Sequence, residues 1–305
     1  MEMEGLRILV AFDGSELAME AVKYVATMMP VKKTEIVLFY VENKMSDPFW
    51  QSDKNIDFRF KSANICGDIA EQHKRINAAM DTACNILMEV GHTEGTIYKK
   101  VQPKKLGVVN DIVRESREGY HAVVLGRRGE NKIKDMLLGS VPMRLLNKIQ
   151  GIPIIIVGGM THSNNVLVAF DGSKEVMRAI QSMTYLVGAS DCRVSFCHIL
   201  KDKGKADKEG VPWKECERKR LEPTISKAKQ WLFDAGFSFN QVCCELINSE
   251  SYDLSTNIVE KANKENYATI AIGRRGLSVY QEFVSKRVGE KIFHQAENLT
   301  VWVFG

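Results

Sequence analysis

The stretch from Gly126 to Ser140 has the composition of a loop that binds an anion. Three glycines and a serine stand in the spacing Gly126-x2-Gly129-x9-Gly139-Ser140. The apolar, β-branched run before them predicts a buried strand, and the residues after them predict the start of a helix. Glycines let the backbone approach a ligand closely, while the unpaired amides and the dipole of a helix N-terminus attract negative charge. Phosphate is the natural ligand of such a junction.

The loop belongs to neither of the two common phosphate-loop classes. It lacks the Gly-Lys-[Ser/Thr] ending of the P-loop and the G-x-G-x-x-G spacing of the dinucleotide fingerprint. We expect Ser140 to be the N-cap of the following helix, with Pro142 in its first turn. Basic side chains add positive charge, and the sequence leaves open whether they contact a ligand or are only solvated: Arg127, Arg128, Lys132 and Lys134.

The elements that must position this loop occur twice in the chain. Residues 168–173 repeat residues 10–15, Val-Ala-Phe-Asp-Gly-Ser, letter for letter at an offset of 158. The pentapeptide at 125–129 recurs at 272–276, at an offset of 147, as Ile-Gly-Arg-Arg-Gly. The chain is therefore a tandem duplication, and we place the two domains at 1–159 and 160–305.

Each copy alternates strands with helices, which predicts parallel sheets with helices on both faces. In such sheets ligands bind beyond the carboxyl ends of the strands. The predicted strands before Asp13, Val41 and Gly126 would all end at that edge. The long connections 42–67 and 201–219 leave open two interpretations, a lid over the ligand or a plain surface insertion. We predict helices at 70–90, 108–118, 223–235 and 254–266, and further strands at 96–101, 153–157, 241–247, 268–272 and 300–304.

Composition narrows the class of protein. With 305 residues and a net charge of +4, the chain has room for two cores and no broad basic field, so we do not expect nucleic-acid binding. The N-terminus resembles a first strand rather than a signal peptide, and no apolar run is long enough to span a bilayer, so we expect a cytoplasmic protein without membrane contact. Seven cysteines without a C-x-x-C pair fit reduced thiols, and we interpret Cys243-Cys244 as strand residues rather than a redox site.

Taken together, a strand ending in Asp-Gly-Ser, a second strand ending at Val41 and the loop G-x2-G-x9-G-[Ser/Thr] resemble the universal stress protein family, here as a tandem pair covering nearly the whole chain. The resemblance implies two Rossmann-like α/β domains of the adenine nucleotide alpha hydrolase type. Each would hold a five-stranded, mostly parallel sheet flanked by helices, and their last strands would pair across a pseudo-twofold axis. It also implies bound ATP, with or without magnesium, held by Ala11, Phe12, Asp13, Val41, Gly126, Arg127, Arg128, Gly129, Gly139, Ser140 and Val141.

The second copy departs from the motif. After Gly273 and Gly276, the Gly-Ser pair is replaced by Lys286-Arg287. Two long side chains then occupy positions meant for close backbone approach. They either fill the phosphate hole or recruit a different anion, and we favour the first interpretation, in which the second half is a structural partner.

No catalytic constellation and no metal-ligand spacing is apparent among the histidines, cysteines and carboxylates, although Glu130 or Asp135 could help to hold magnesium. We therefore predict an ATP-binding regulatory module of a stress response, with one adenine nucleotide in the first half and protein partners unknown. The alternatives are a slow ATPase or phosphoryl- or adenylyl-transfer enzyme, and a nucleotide-free scaffold. Whether two chains associate into a homodimer stays open.

Overall fold

The computed structural model describes residues 5–42, 56–129, 138–159, 163–188, 191–201, 213–249, 253–273 and 291–305. Within these ranges the chain forms ten strands in one sheet, with the order β3-β2-β1-β4-β5-β10-β9-β6-β7-β8. The strands are β1 (Leu6–Ala11), β2 (Thr34–Glu42), β3 (Ile97–Pro103), β4 (Ala122–Gly126), β5 (Ile154–Val157), β6 (Val166–Ala169), β7 (Val194–Lys201), β8 (Val242–Ser249), β9 (Thr269–Gly273) and β10 (Thr300–Phe304).

Seven α-helices flank the sheet in the described residues. They are α1 (Glu16–Met28), α2 (Ile56–Glu89), α3 (Val108–Glu115), α4 (Ser140–Lys148), α5 (Lys174–Val187), α6 (Trp213–Asp234) and α7 (Leu254–Lys264), and residues 291–295 form a further helical segment. Every strand pairing is parallel except one, between β5 and β10. The predicted α/β class, with mostly parallel strands between helices, is confirmed. None of the helices in these ranges combines the length and the apolar character that crossing a membrane requires.

The core lies on both faces of the sheet. Alternate residues of β1 show this, since Ile8 and Val10 pack in one hydrophobic cluster while Leu9 packs in the other. Because both faces are covered by helices, the strands are apolar at nearly every position rather than at every second one. This is why the sequence shows short continuous apolar runs.

The two sets of five strands meet at β5 and β10. Trp302 lies opposite Ile155 in this antiparallel pair. The fully buried Trp302 donates from Nε1 to the Tyr24 hydroxyl (2.7 Å), which is also hydrogen-bonded to Thr269 Oγ1 (2.6 Å). A helix of the first half is thereby hydrogen-bonded to two strands of the second.

Three local predictions were wrong in detail. Helix α2 begins at Ile56, inside the segment predicted as a connection, and α6 begins at Trp213, so that Pro223 lies within a helix rather than at its start. Among the described side chains of α2, Ile76, Met80, Ala83 and Leu87 are buried in the core. The start of the helix lies in a stretch of aromatic residues among charges, a composition that is also typical of a connection. The N-cap of α4 is Gly139, and Ser140 is the first helical residue. Its hydroxyl makes no capping hydrogen bond and is exposed.

Candidate functional site

A cavity of about 360 Å³ opens at the carboxyl edge of three adjacent strands, β2, β1 and β4. This size lies within the usual range of small-molecule sites. The wall consists of the ends of these strands, the glycine loop, the first turn of α4, residues of α3 and one residue each of α1 and α2. Its lining residues are Ala11, Phe12, Asp13, Ala18, Phe39, Tyr40, Val41, Gln72, Val108, Ile112, Leu125, Gly126, Arg128, Gly129, Gly139, Ser140, Val141 and Pro142.

Ten of the eleven residues predicted for the site line this one cavity, although they are spread from position 11 to position 141. The exception is Arg127, which is not among the lining residues. The duplicated motif did not indicate Tyr40, Val108, Ile112 or Gln72. Val108 and Ile112 are four residues apart in α3, so the helical period could have placed them together. Gln72 lies in α2, and no motif links that helix to the strand ends.

The glycine loop is packed against the carboxylate of Asp13. One oxygen of Asp13, Oδ1, accepts a hydrogen bond from the amide of Ser15 (3.0 Å). A side chain at Gly129 would overlap the other oxygen, Oδ2. Glycine at 129 therefore lets the loop lie directly on the end of β1, which brings the acid and the loop to the same wall of the cavity.

The other two glycines also lie at close contacts, which are tighter at Gly126 than at Gly139. A Cβ at Gly126 would lie 2.7 Å from the carbonyl carbon of Leu17, so this glycine lets α1 pack on the end of β4. The Gly139 amide donates to the Arg127 carbonyl (2.9 Å), and a Cβ there would lie 3.2 Å from that same oxygen. The loop thus returns to its own starting point and sets the start of α4, with its free amides, beside the cavity.

Arg127 turns away from the cavity and into the junction of the two halves. Its side chain is only 1% exposed. It donates to the Phe293 carbonyl through Nη1 and to the Ala296 carbonyl through Nη2 (2.6 Å). Burial, and to a lesser extent the neighbouring charge of Arg128, lowers the pKa of Arg127 to about 10, so the group stays charged at neutral pH. The sequence predicted that Arg127 contacts the ligand, whereas in the structure its side chain contacts carbonyl groups of the second half.

Arg128 faces the other way and lines the cavity. Its Nη2 lies 3.7 Å from Glu297 Oε1 of the second half, and the two side chains are 28% and 50% exposed. Its Nε is buried and has no hydrogen-bond partner among the described residues. Arg128 is therefore the cationic side chain that the described structure places at this wall.

The equivalent edge of the second half carries a different set of side chains. Gly14 and Gly172 occupy the same place in the repeat. An added Cβ would clash with Ile76 of α2 at Gly14 and with Leu221 of α6 at Gly172. Counting four residues back from these contacts, Gln72 of the first half corresponds to Glu217 of the second.

Glu217 is part of an ionic cluster. It pairs with Arg220 (2.6 Å) and lies 3.5 Å from Nε2 of His198, which occupies the place of Tyr40 in the repeat. The His198 Nδ1 is hydrogen-bonded to the Phe170 carbonyl (2.7 Å). The ionisable side chains of His198 and Glu217 thus stand where Tyr40 and Gln72 line the first cavity. The Lys286-Arg287 pair, on which the sequence argument about this half relied, lies outside the described residues.

The described residues contain no group of three or more histidines, cysteines or carboxylates that could hold a metal. Glu130 and Asp135, considered above as magnesium ligands, lie outside them. Cys243 and Cys244 lie in β8 as expected, and the Cys243 thiol is 2.7 Å from Ser195 Oγ. Burial raises the pKa of the Cys244 thiol, which disfavours the reactive thiolate.

Comparison with known proteins gives a consistent result. The model of the universal stress protein family matches residues 162–304. A universal stress protein from Archaeoglobus fulgidus DSM 4304 shares the fold at a TM-score of 0.63 and 21% identity, covering 98% of this chain and 97% of that one. A functionally unknown protein from Pseudomonas aeruginosa PAO1 has a TM-score of 0.56 and 16% identity, with 98% and 92% covered.

A putative universal stress protein from Pseudomonas aeruginosa UCBPP-PA14 has a TM-score of 0.52 at 16% identity and the same coverage. No curated protein matches the chain. The matched structures extend over both halves, whereas the family model matches the half that departs from the glycine motif.

Proposed function

The chain belongs to the universal stress protein family, and on that premise we propose that it is a regulatory module that holds one ATP in its first half. The observation that carries the proposal is the cavity at the ends of β1, β2 and β4. An acid, a glycine loop, a helix start and a cation meet there on one wall. These are the groups that a nucleoside with phosphates requires.

Each part of a nucleotide has a matching part of the wall. The Asp13 carboxylate accepts hydrogen bonds and suits the hydroxyls of a ribose. The amides at the start of α4, with the Ser140 hydroxyl, suit phosphate oxygens, and Arg128 supplies the positive charge. Phe39, Val41, Val108 and Ile112 form an apolar surface for the flat face of a base. The backbone of Val41, at the end of β2, offers hydrogen bonds to its edge.

Two observations favour one nucleotide per chain. In the second half the Glu217–Arg220–His198 cluster occupies the place where Tyr40 and Gln72 line the first cavity. A base entering there would have to disturb the Glu217–Arg220 ion pair, which is costly without replacement partners. The change of Gly-Ser to Lys286-Arg287 in the sequence works in the same direction.

Native mass spectrometry of the gently purified protein, with the released ligand identified by chromatography, tests the proposal. We expect one ATP per chain, and Gly139→Arg should abolish it because a long side chain would meet the Arg127 carbonyl and block the phosphate wall. Gly95→Arg is the matched control, since Gly95 is exposed and the nearest atom to a Cβ there is the Thr93 hydroxyl oxygen at 3.9 Å. Binding of two nucleotides would contradict the assignment of the second half. Absence of binding, confirmed by titration with ATP and magnesium, would favour the scaffold.

A further inference from the structure

The two adjacent arginines of the glycine loop divide their contacts between the two halves of the chain. Arg127 is buried and hydrogen-bonded to carbonyls of the segment 291–296, whereas Arg128 lines the cavity. The single ion pair that the described structure gives Arg128 is with Glu297, one residue beyond that segment. The cavity of the first half therefore has a charged contact with the second half.

The backbones on both sides of this ion pair are held in place. On one side, the Arg127 amide donates to the Val157 carbonyl (2.8 Å), and its carbonyl accepts from Gly139 (2.9 Å). On the other side, Gly158 lies so close to the chain at 297–299 that an added Cβ would overlap the Glu297 carbonyl and lie 2.5 Å from that of Leu299. Neither backbone can move without disturbing the end of β5. The side chains of Arg128 and Glu297 are the parts that remain free to rearrange.

The ion pair itself is weak enough to exchange partners. A separation of 3.7 Å is longer than a charge-assisted hydrogen bond, and both side chains are partly exposed. The buried Nε of Arg128 also lacks a partner in the described structure. A phosphate at the cavity wall would offer Arg128 shorter contacts and more negative charge than Glu297 does. Conversely, the Glu297 carboxylate partly neutralises the guanidinium charge that would attract a phosphate.

We propose that Glu297 is a positioning residue contributed by the second half, which competes with the nucleotide phosphates for Arg128. This inference rests on the proposed function and adds a regulation to that site. When phosphate takes Arg128, Glu297 is released, and the surface at 296–299 then differs between the loaded and the empty protein. A partner that binds the released Glu297 would therefore bind the loaded protein more tightly than the empty one. By linkage, that partner strengthens the binding of ATP by the same factor by which ATP strengthens the binding of the partner.

The test compares ATP with adenosine, because only ATP can engage Arg128 through phosphate. Dissociation constants are measured by isothermal titration calorimetry for the full chain and for Glu297→Gln. We expect Glu297→Gln to bind ATP about threefold to fivefold more tightly, the upper part of the range that exposed ion pairs contribute, and adenosine as the wild type does. Glu222→Gln is the matched control, an exposed glutamate of the same half on α6, which packs on the other face of the sheet.

A double-mutant cycle separates the ion pair from general effects of charge. In an Arg128→Gln background, Glu297→Gln should leave the affinity for ATP unchanged, because the competing partner is gone. An equal effect of Glu297→Gln on ATP and adenosine would indicate a merely structural role and overturn the inference, as would an effect no larger than that of Glu222→Gln. If the wild type binds neither ligand, the proposed function fails and this inference fails with it. If it binds ATP but the cycle shows no coupling, only this inference fails.

Discussion

Removing the hydroxyl of Tyr24 should destabilise the junction between the two halves. This hydroxyl accepts from Trp302 Nε1 at 2.7 Å and is bonded to Thr269 Oγ1 at 2.6 Å, and all three groups are buried. Burial raises the pKa of Tyr24 well above its ordinary value, so the group is a neutral hydroxyl at neutral pH. In Tyr24→Phe the Trp302 N–H loses the acceptor that the structure gives it, and the Thr269 hydroxyl loses its bond to the Tyr24 hydroxyl.

Each buried polar group left without a partner costs about 1–3 kcal/mol. Two such groups predict a loss of about 2–6 kcal/mol in the free energy of unfolding of Tyr24→Phe. Equilibrium urea unfolding measures it as a lower midpoint at an unchanged slope. Tyr98→Phe is the control, because the Tyr98 hydroxyl bonds to the Gly95 carbonyl (2.8 Å) at an exposed site, where a loss of about 0.5 kcal/mol or less is expected.

The reasoning would be refuted by a loss in Tyr24→Phe no larger than in Tyr98→Phe. Thr269→Val adds a second check. In a double-mutant cycle with Tyr24→Phe, the two changes should cost less together than the sum of their separate effects, since they remove the same hydrogen bond. Strict additivity would show that the Tyr24–Thr269 contact carries no energy.

Two further predictions concern the cavity and the response to pH. Gly129→Ala should weaken ATP binding about tenfold, because the new Cβ overlaps Asp13 Oδ2 and displaces either the acid or the loop. Calorimetry measures the affinity for ATP, and Gly95→Ala is the control because a Cβ has room there. Equal affinities of the two variants would contradict the prediction. His92 is buried, and burial lowers the pKa of its imidazole below the ordinary 6.5. As the pH falls through that value, the unfolded chain therefore binds a proton at His92 that the folded protein does not yet bind. The free energy of unfolding should therefore fall as the pH falls through about 6.5. The urea midpoint should drop less between about pH 7.5 and about pH 5 in His92→Gln than in the wild type. Equal drops in the two proteins would exclude His92 as the cause.

The sequence predicted the cavity well where the chain repeats itself and poorly where it does not. Asp13, Val41 and the glycines could be placed because strand ends of a parallel sheet share one edge. The two arginines could not be told apart, although neighbouring residues at a strand end point to opposite faces. Arg127 continues the face of Val123 and Leu125, which packs in the cluster that holds Phe293. This face of the sheet is covered by residues of the second half, and the local sequence around the arginines does not show that packing.

Gln72 was missed for a different reason. It reaches the cavity from α2, whose start lies in a stretch of mixed charged and aromatic residues. Nothing in the local pattern relates that helix to the ends of β1 and β2. Its place follows from Ile76, Met80, Ala83 and Leu87, which pack in the core and fix the rotation of the helix. Sequence patterns of short range do not carry such tertiary information.

The Tyr24–Trp302–Thr269 junction also bears on what duplication makes available to a chain. By the offsets of the repeat, the positions equivalent to these three residues are Ser182, Ile155 and Ala122, so the hydrogen-bonded trio exists once. In a symmetric homodimer every substitution appears twice, and an interface has to be complementary to itself. When two copies are joined in one chain, their interface does not have to be self-complementary, and the sequence of each copy can change to fit the other. One copy can then keep its ligand cavity while the other specialises in holding it in shape.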